Sequence, residues 1–299
     1  DSNLHGTLNY GPIYTTNPAS AAGTGISLAD LLLGAPQNGV IAYLTGSRGY
    51  RRTEYGAFAQ DTWKLTSALT LNLGLRYEVF AAYPWKEVAD RMSNFLPAPR
   101  GNVFVVGSPE LPYESATRTD YNNFGPRLGV AYKLGARTVL RAAYGAFYTA
   151  EAIPATSLGA VNPPFIGSSA FTNNQFDFAG ARKTSQGFDR PVGLVFSPLG
   201  AALQSVDPNF RTPYAQQWNA GVQHHFPGQV LLTAQYVGTA GKKLVLTPDL
   251  NQPRPGPGAV PPRRPYPDFN AISWTESGGS SIYHSLQVSA EKRMSGGLS

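Results

Sequence analysis

The chain has 299 residues and a formal net charge of +6, with 14% charged and 12% aromatic residues. A soluble domain averages roughly 25% charged residues; the 32 Gly and 25 Pro work against long helices, while 16 Tyr favour strands. At 42% hydrophobic residues the chain is too apolar for disorder, and the absence of cysteine excludes disulfides, thiolate metal sites and a cysteine nucleophile.

Arg51-Arg52 and Arg263-Arg264 are the densest basic groups, and neither is interleaved with stacking aromatics. Nucleic acid is therefore not an expected partner; solvated basic loops facing an anionic lipid surface or an acidic ligand are. No stretch approaches the ~18 consecutive apolar residues of a transmembrane helix.

In chain order, residues 1–53 read as a loop-rich segment in which 28–33 form a short apolar helix capped by Ser27. Residues 54–299 read as a strand domain. A first strand covers 55–64, its phase left open because Phe58 and Trp63 fall on opposite faces. A turn at Thr66, Ser67 and Ala68 leads into 69–79, where Leu69, Leu71, Leu73, Leu75, Tyr77 and Val79 alternate with Thr70, Asn72, Gly74, Arg76 and Glu78. Period two puts the apolar set on one face. The pattern recurs in hairpins at 128–148, turning at 135–137, and at 217–236, turning at 227–229. A further strand starts near Ile282, turns near 295–297, and stops as its partner begins. Long irregular segments, 81–126, 149–214 and 239–281, separate the hairpins; the proline-dense 253–267 is expected to be extended.

Strands of about 10 residues suit a tilted membrane crossing. Short turns alternating with long loops match the two rims of a transmembrane barrel. The expected fold is thus an all-β, antiparallel transmembrane β-barrel with short periplasmic turns and long extracellular loops, of which about eight strands are present. An Arg facing lipid at mid-depth costs roughly 2–4 kcal/mol, so Arg76, Glu78 and Arg141 are expected to face a watery lumen. Tyr77, Tyr144, Tyr148, Trp218, Phe226 and Tyr236 fall on apolar faces where an aromatic girdle sits. A soluble sandwich with these faces as its core is the competing reading.

Residues 54–78, EYGAFAQDTWKLTSALTLNLGLRYE, resemble the barrel strands of TonB-dependent receptors. LADLLLG at 28–34, NNFGPRLGVAYKL at 122–134, TVLRAAYGAFY at 138–148, RTPYAQQWNAGVQ at 211–223, RRPYPDF at 263–269 and YHSLQVSAEKRMSGG at 283–297 resemble the Oar-like branch. The resemblance covers almost the whole chain. It implies a barrel of about 22 strands, an N-terminal plug, and a segment that engages TonB. Neither plug nor TonB-contacting segment is found in these residues, so the chain reads as a fragment of the barrel domain in the outer membrane.

No catalytic residue, cofactor or metal site is expected. His224 and His225 are adjacent on a strand and point to opposite faces, and His5 and His284 lie elsewhere. Glu54 and Asp61 read as a rim residue and a turn-proximal residue rather than paired carboxylates. The candidate lumen-lining residues are Asn72, Arg76, Glu78, Arg141, Asn219 and Gln223. The candidate ligand contacts in the loops are Trp85, Tyr113, Phe165, Phe176, Arg263 and Arg264, with Phe171, Phe178 and Phe188 as further loop aromatics; packing of the loops on one another is the competing role. The expected function is receptor-mediated uptake of a bulky extracellular substrate, with outer-membrane lipid, TonB (through a plug region not present here) and an unidentified extracellular ligand as partners. The alternatives are an adhesive or structural surface protein anchored by the barrel, and a soluble all-β carbohydrate-binding module.

Overall fold

The computed structural model describes residues 5–20, 23–46, 49–98, 101–150, 162–189 and 198–292. Its elements are β1 (Thr7–Asn9), α1 (Ser27–Leu32), β2 (Asn38–Leu44), β3 (Tyr50–Lys64), β4 (Leu69–Glu87), β5 (Ser93–Leu96), β6 (Asn102–Val105), β7 (Asn123–Lys133), β8 (Thr138–Tyr148), β9 (Ile166–Thr172), β10 (Leu203–Val206), β11 (Tyr214–Phe226), β12 (Val230–Leu246) and β13 (Ile272–Lys292). The main sheet has eight strands in the order β10-β13-β12-β11-β8-β7-β4-β3. From β3 to β13 its long strands form an antiparallel meander in which strand pairing follows chain order. The sheet is open, with β3 at one edge and β10 at the other.

The hairpin turns are built from local chemistry. The Thr66 hydroxyl accepts the amide protons of Ala68 and Leu69. Gly135 and Gly228 take positive φ, 93° and 80°, where glycine carries no Cβ penalty.

The structure corrects several sequence expectations. β4 runs to Glu87 and pairs with β3 up to Tyr50, although the alternation stops at Val79. β12 and β13 likewise extend through 239–246 and 272–281, carrying register shifts around Lys242, Leu244 and Leu246. The eighth strand of the sheet is β10, a four-residue piece of a long segment that joins the far end of β13 in parallel. The expected partner after 295–297 lies outside the described residues. Ser27 is not the cap of α1: the N-cap is Ile26, with no side-chain cap bond. Nor is 253–267 extended. Arg254 and Arg263 are joined backbone to backbone (3.0 Å), and the Arg263 guanidinium donates to the carbonyls of Arg254, Gly258 and Ala259. At ~3.1 Å per residue an extended polyproline chain would hold those two residues far apart.

The fully buried residues lie not between sheets but at the long-segment end of this one. One cluster gathers Phe80, Met92, Val106, Leu111, Val206 and Phe210; a second gathers Phe95, Leu203, Phe269, Ile272 and Trp274. Each fully buried large apolar side chain stabilises by roughly 1.5–3 kcal/mol, enough to hold segments that have little regular structure. Their backbone groups still need partners, and buried asparagines supply them. Asn94 accepts the Val206 amide (2.9 Å) and donates to its carbonyl (2.7 Å), so its side chain pairs like a strand. Asn162 does the same for Gln204 and adds the Ser93 carbonyl. Asn251 donates to the carbonyls of Tyr266, Phe269 and Asn270 and accepts the Tyr266 amide. Glu87, its side chain fully buried, accepts the amides of Gly49, Ala89 and Arg91 beside the Arg91 guanidinium. Outside the main sheet, β1-β2-β9 form a small antiparallel sheet that ties the segment before β3 to the one after β8.

Asn251→Ala strips four bonds from the 247–271 segment, and each orphaned buried group costs about 1–3 kcal/mol. The expected outcome is rapid proteolytic cleavage within that segment while the meander strands stay protected. Unchanged cleavage kinetics would show that the asparagine does not hold the segment.

Candidate functional site

Antiparallel register places directly opposed residues on the same face, so the pairing sorts both faces of the meander. One face carries Leu69, Leu71, Leu73, Leu75 and Tyr77 of β4, opposed by Tyr132, Val130, Leu128, Pro126 and Phe124 of β7. It continues through Tyr144, Ala142 and Leu140 of β8, then Trp218, Ala220 and Val222 of β11, to Ala234 and Tyr236 of β12 and Leu286 and Val288 of β13. The same rule settles the phase of β3. Tyr55, Ala57, Ala59 and Trp63 share the leucine face, together with Asp61 near the turn, while Phe58 lies on the other. Leu286 is 73% and Leu128 48% exposed, and no second sheet packs on this face among the described residues. A sandwich would bury it. A contiguous apolar face this wide requires an apolar surrounding instead.

Aromatic rings mark its two ends. Trp63 and Phe226 lie near the turns. Towards the long segments, Tyr77 packs on Phe124 (4.6 Å between centroids) and Tyr148 stacks on Tyr214 (5.0 Å). Trp218 opposes Gly238, which opposes His284. A Cβ at Gly238 would lie 2.2 Å from the indole, so the glycine is what lets Trp218 lie across β12. Tyr236 shares a hydrogen bond with His284 Nδ1 (2.6 Å) two residues closer to the turn.

The opposite face is polar. Asn72, Arg76, Glu78, Arg141, Asn219 and Gln223 all fall on it. Asn72 and Asn219 share one rung through Gly129 and Ala143. Asn72 accepts the Thr62 hydroxyl (2.9 Å), and Arg76 pairs with Glu78 (2.8 Å). Arg141 opposes Gly221 and makes no ion pair among the described residues. His224 and His225 split between the faces, as adjacency requires; His224 shares a bond with Thr138 (2.8 Å) on the apolar side. Glu54 pairs with Arg52 at the far end of β3. Arg127 and Phe147 also lie on the polar face but are absent from the expected set. Arg127 directly precedes the alternating run from Leu128, so parity alone would have placed it. Phe147 continues the parity of Arg141, Ala143 and Gly145, but its apolar ring breaks the polar pattern of that face.

The six loop candidates do not converge. Trp85 and Tyr113 pack on the first apolar cluster; the Arg52 guanidinium sits 4.6 Å over the indole and Arg118 donates to the Tyr113 hydroxyl (2.5 Å). Arg263 is enclosed by backbone carbonyls, and Arg264 donates to the Asn251 carbonyl (2.8 Å). Phe165 is half-buried, its carbonyl accepting the Thr45 amide (3.0 Å). Phe176 is 49% exposed at φ 67°. Beside it, Phe178 packs edge-on against Tyr14 under the Lys183 ammonium. Asp30 of α1 accepts the Tyr14 amide, and burial, reinforced by Asp177 and Asp30, pushes the Tyr14 hydroxyl above its ordinary pKa.

A family model described as outer membrane beta barrel domain matches residues 1–299. No curated protein matches the chain. Among solved structures, it is similar to the alcaligin outer membrane receptor of Bordetella pertussis (14% identity, TM-score 0.35, 89% of this chain and 30% of that one). It is also similar to the hemophore receptor of Serratia marcescens (13%, TM-score 0.41, 85% and 38%) and to the ferric enterobactin receptor of Pseudomonas aeruginosa (12%, TM-score 0.39, 95% and 37%). The chain thus spans about a third of the length of each.

The face assignment is open to a paired test in lipid vesicles. Leu73→Arg should destabilise the protein by roughly 2–4 kcal/mol and Asn72→Arg by less than about 1 kcal/mol, read from denaturant unfolding. Equal costs would overturn the assignment.

Proposed function

The chain belongs to the outer membrane β-barrel domain family, and from that premise we propose that it is part of the barrel of a TonB-dependent receptor that admits a bulky extracellular substrate across the Gram-negative outer membrane. The observation that carries this reading is the meander itself. Its strands share one apolar and one polar face, with three short turns at one rim and long folded segments at the other. The apolar face contacts outer-membrane lipid. The polar face, with Asn72, Arg76, Glu78, Arg141, Asn219 and Gln223, lines the lumen.

In this reading residues 1–53 and the long segments make an extracellular crown, and the meander strands within 54–299 supply the wall. Phe176 offers the ligand an exposed aromatic surface. Trp85, Tyr113, Phe165, Arg263 and Arg264 shape the crown from within through the contacts described above. No covalent chemistry is required of these residues: energy for uptake comes from the inner membrane through TonB, acting on a plug region outside this chain.

The test is binding of the periplasmic domain of TonB to the full-length protein, extracted from outer membranes and immobilised. Specific, saturable binding is the expected result. A protein that sits in the outer membrane yet ignores TonB would overturn the transport reading in favour of an adhesive barrel.

A further inference from the structure

The polar face holds a cation whose surroundings are shaped as a recess. Arg127 opposes Gly74 on one side and Gly145 on the other, and Gly145 in turn opposes Gln217. With no side chain at either flanking position, the wall is thinned on both sides of Arg127. The space at Gly145 is used. A Cβ there would lie 2.7 Å from the Phe147 ring, so glycine is what allows that ring to fold back along its own strand. The Arg127 guanidinium carbon stands 5.1 Å from the centre of the ring. Ala143, Gln217 and Asn219 help to line an open depression of about 230 Å³ beside the pair.

The charge balance at this point is one-sided. Arg76, on the neighbouring strand, is neutralised by Glu78. Arg127 has no carboxylate partner among the described residues, and Lys133 and Arg141 lie on the same face. A guanidinium held over an aromatic ring keeps its in-plane N–H fork free, and that fork matches a carboxylate with two parallel bonds. The Gln217 and Asn219 amides add neutral donors on the same rung and the next. The exposed part of the Phe147 ring offers a flat apolar surface to whatever carries the anion.

We infer that the recess formed by Arg127, Phe147, Gln217 and Asn219 is a binding subsite for an aromatic carboxylate, with the carboxylate on Arg127 and the ring against Phe147. The inference rests on the reading of the polar face as the lumen wall, and it specifies the ligand chemistry that this stretch of wall selects.

The experiment uses the full-length protein in detergent micelles and follows 4-fluorobenzoate by ¹⁹F NMR, with 4-fluorobenzamide as the uncharged control. Wild-type protein should bind the benzoate and discriminate against the benzamide by about tenfold or more, the scale of a charge-assisted pair. Arg127→Gln should weaken the benzoate by about the same factor, and Gly145→Val should displace the Phe147 ring and weaken both probes. Heat-modifiable migration on gels confirms that each variant is folded. Benzoate binding that survives Arg127→Gln, equal affinity for the two probes, or no benzoate binding by wild-type protein would each overturn the subsite. TonB binding on the same samples reports separately on the transport reading, so either can fail alone.

Discussion

Everything in this chain follows from one constraint: in hydrocarbon, a backbone N–H or C=O has no water to turn to and must find its partner inside the protein. Strands meet that demand only by pairing edge to edge over their whole length, and pairing fixes register. Because side chains alternate strictly, a slip of one residue between any two strands would turn an entire leucine row onto the polar face and bring polar residues such as Arg76 or Arg141 onto the apolar one. Across the apolar rows the register of β3, β4, β7, β8, β11, β12 and β13 keeps both faces coherent, and the shifts fall beyond them, between Arg51 and Thr53 and between Lys242 and Leu246. Glycine assists at the few points where a large ring must lie across a neighbour, as Trp218 does at Gly238.

Beyond the lipid the same backbone demand is met differently. Water is near, but Phe95, Leu203, Ile272 and Val206 are drawn out of it into two apolar clusters, and the chain around them is irregular. Amide side chains serve as substitutes for missing strands. Each of Asn94, Asn162 and Asn251 carries a donor and an acceptor in the geometry of a peptide group, so one residue can close a ladder that has only one side. The buried Glu87 fulfils an acceptor-only version of that role at the junction where β4 leaves the sheet.

The parts legible in the sequence are those where lipid writes the pattern. The Leu69 to Val79 alternation, the three short turns and the placement of Asn72, Arg76, Glu78, Arg141, Asn219 and Gln223 on one polar face are readable because one face of each strand meets an oily phase and the other does not. The phase of β3 was not, since Ala57, Ala59 and Asp61 give no contrast with Gly56, Phe58 and Gln60; only the pairing with β4 resolves it. The continuation of β4, β12 and β13 past the apolar rows was hidden for the same reason, because a strand that has left the membrane no longer needs to alternate. β10 has four residues and is recruited by packing rather than by periodicity. Arg127 was within reach of a parity argument. The stacking of Phe147 on it was not, because it depends on the void at Gly145, two residues away in sequence and informative only once the neighbouring strand is in place.

The length of the strands has a consequence of its own. β13 has 21 residues, of which about 10 suffice to traverse the hydrocarbon at a 45° tilt. The remainder, rising ~3.3 Å per residue, lift the folded segments by roughly 25 Å. The headgroup layer accounts for only about 5–8 Å of that height. At β13 the wall thus stands well clear of the bilayer, whereas β7 and β8, of 11 residues each, end close to it, so the rim is uneven in height. The sheet has its footing in oil and its upper edge in open water.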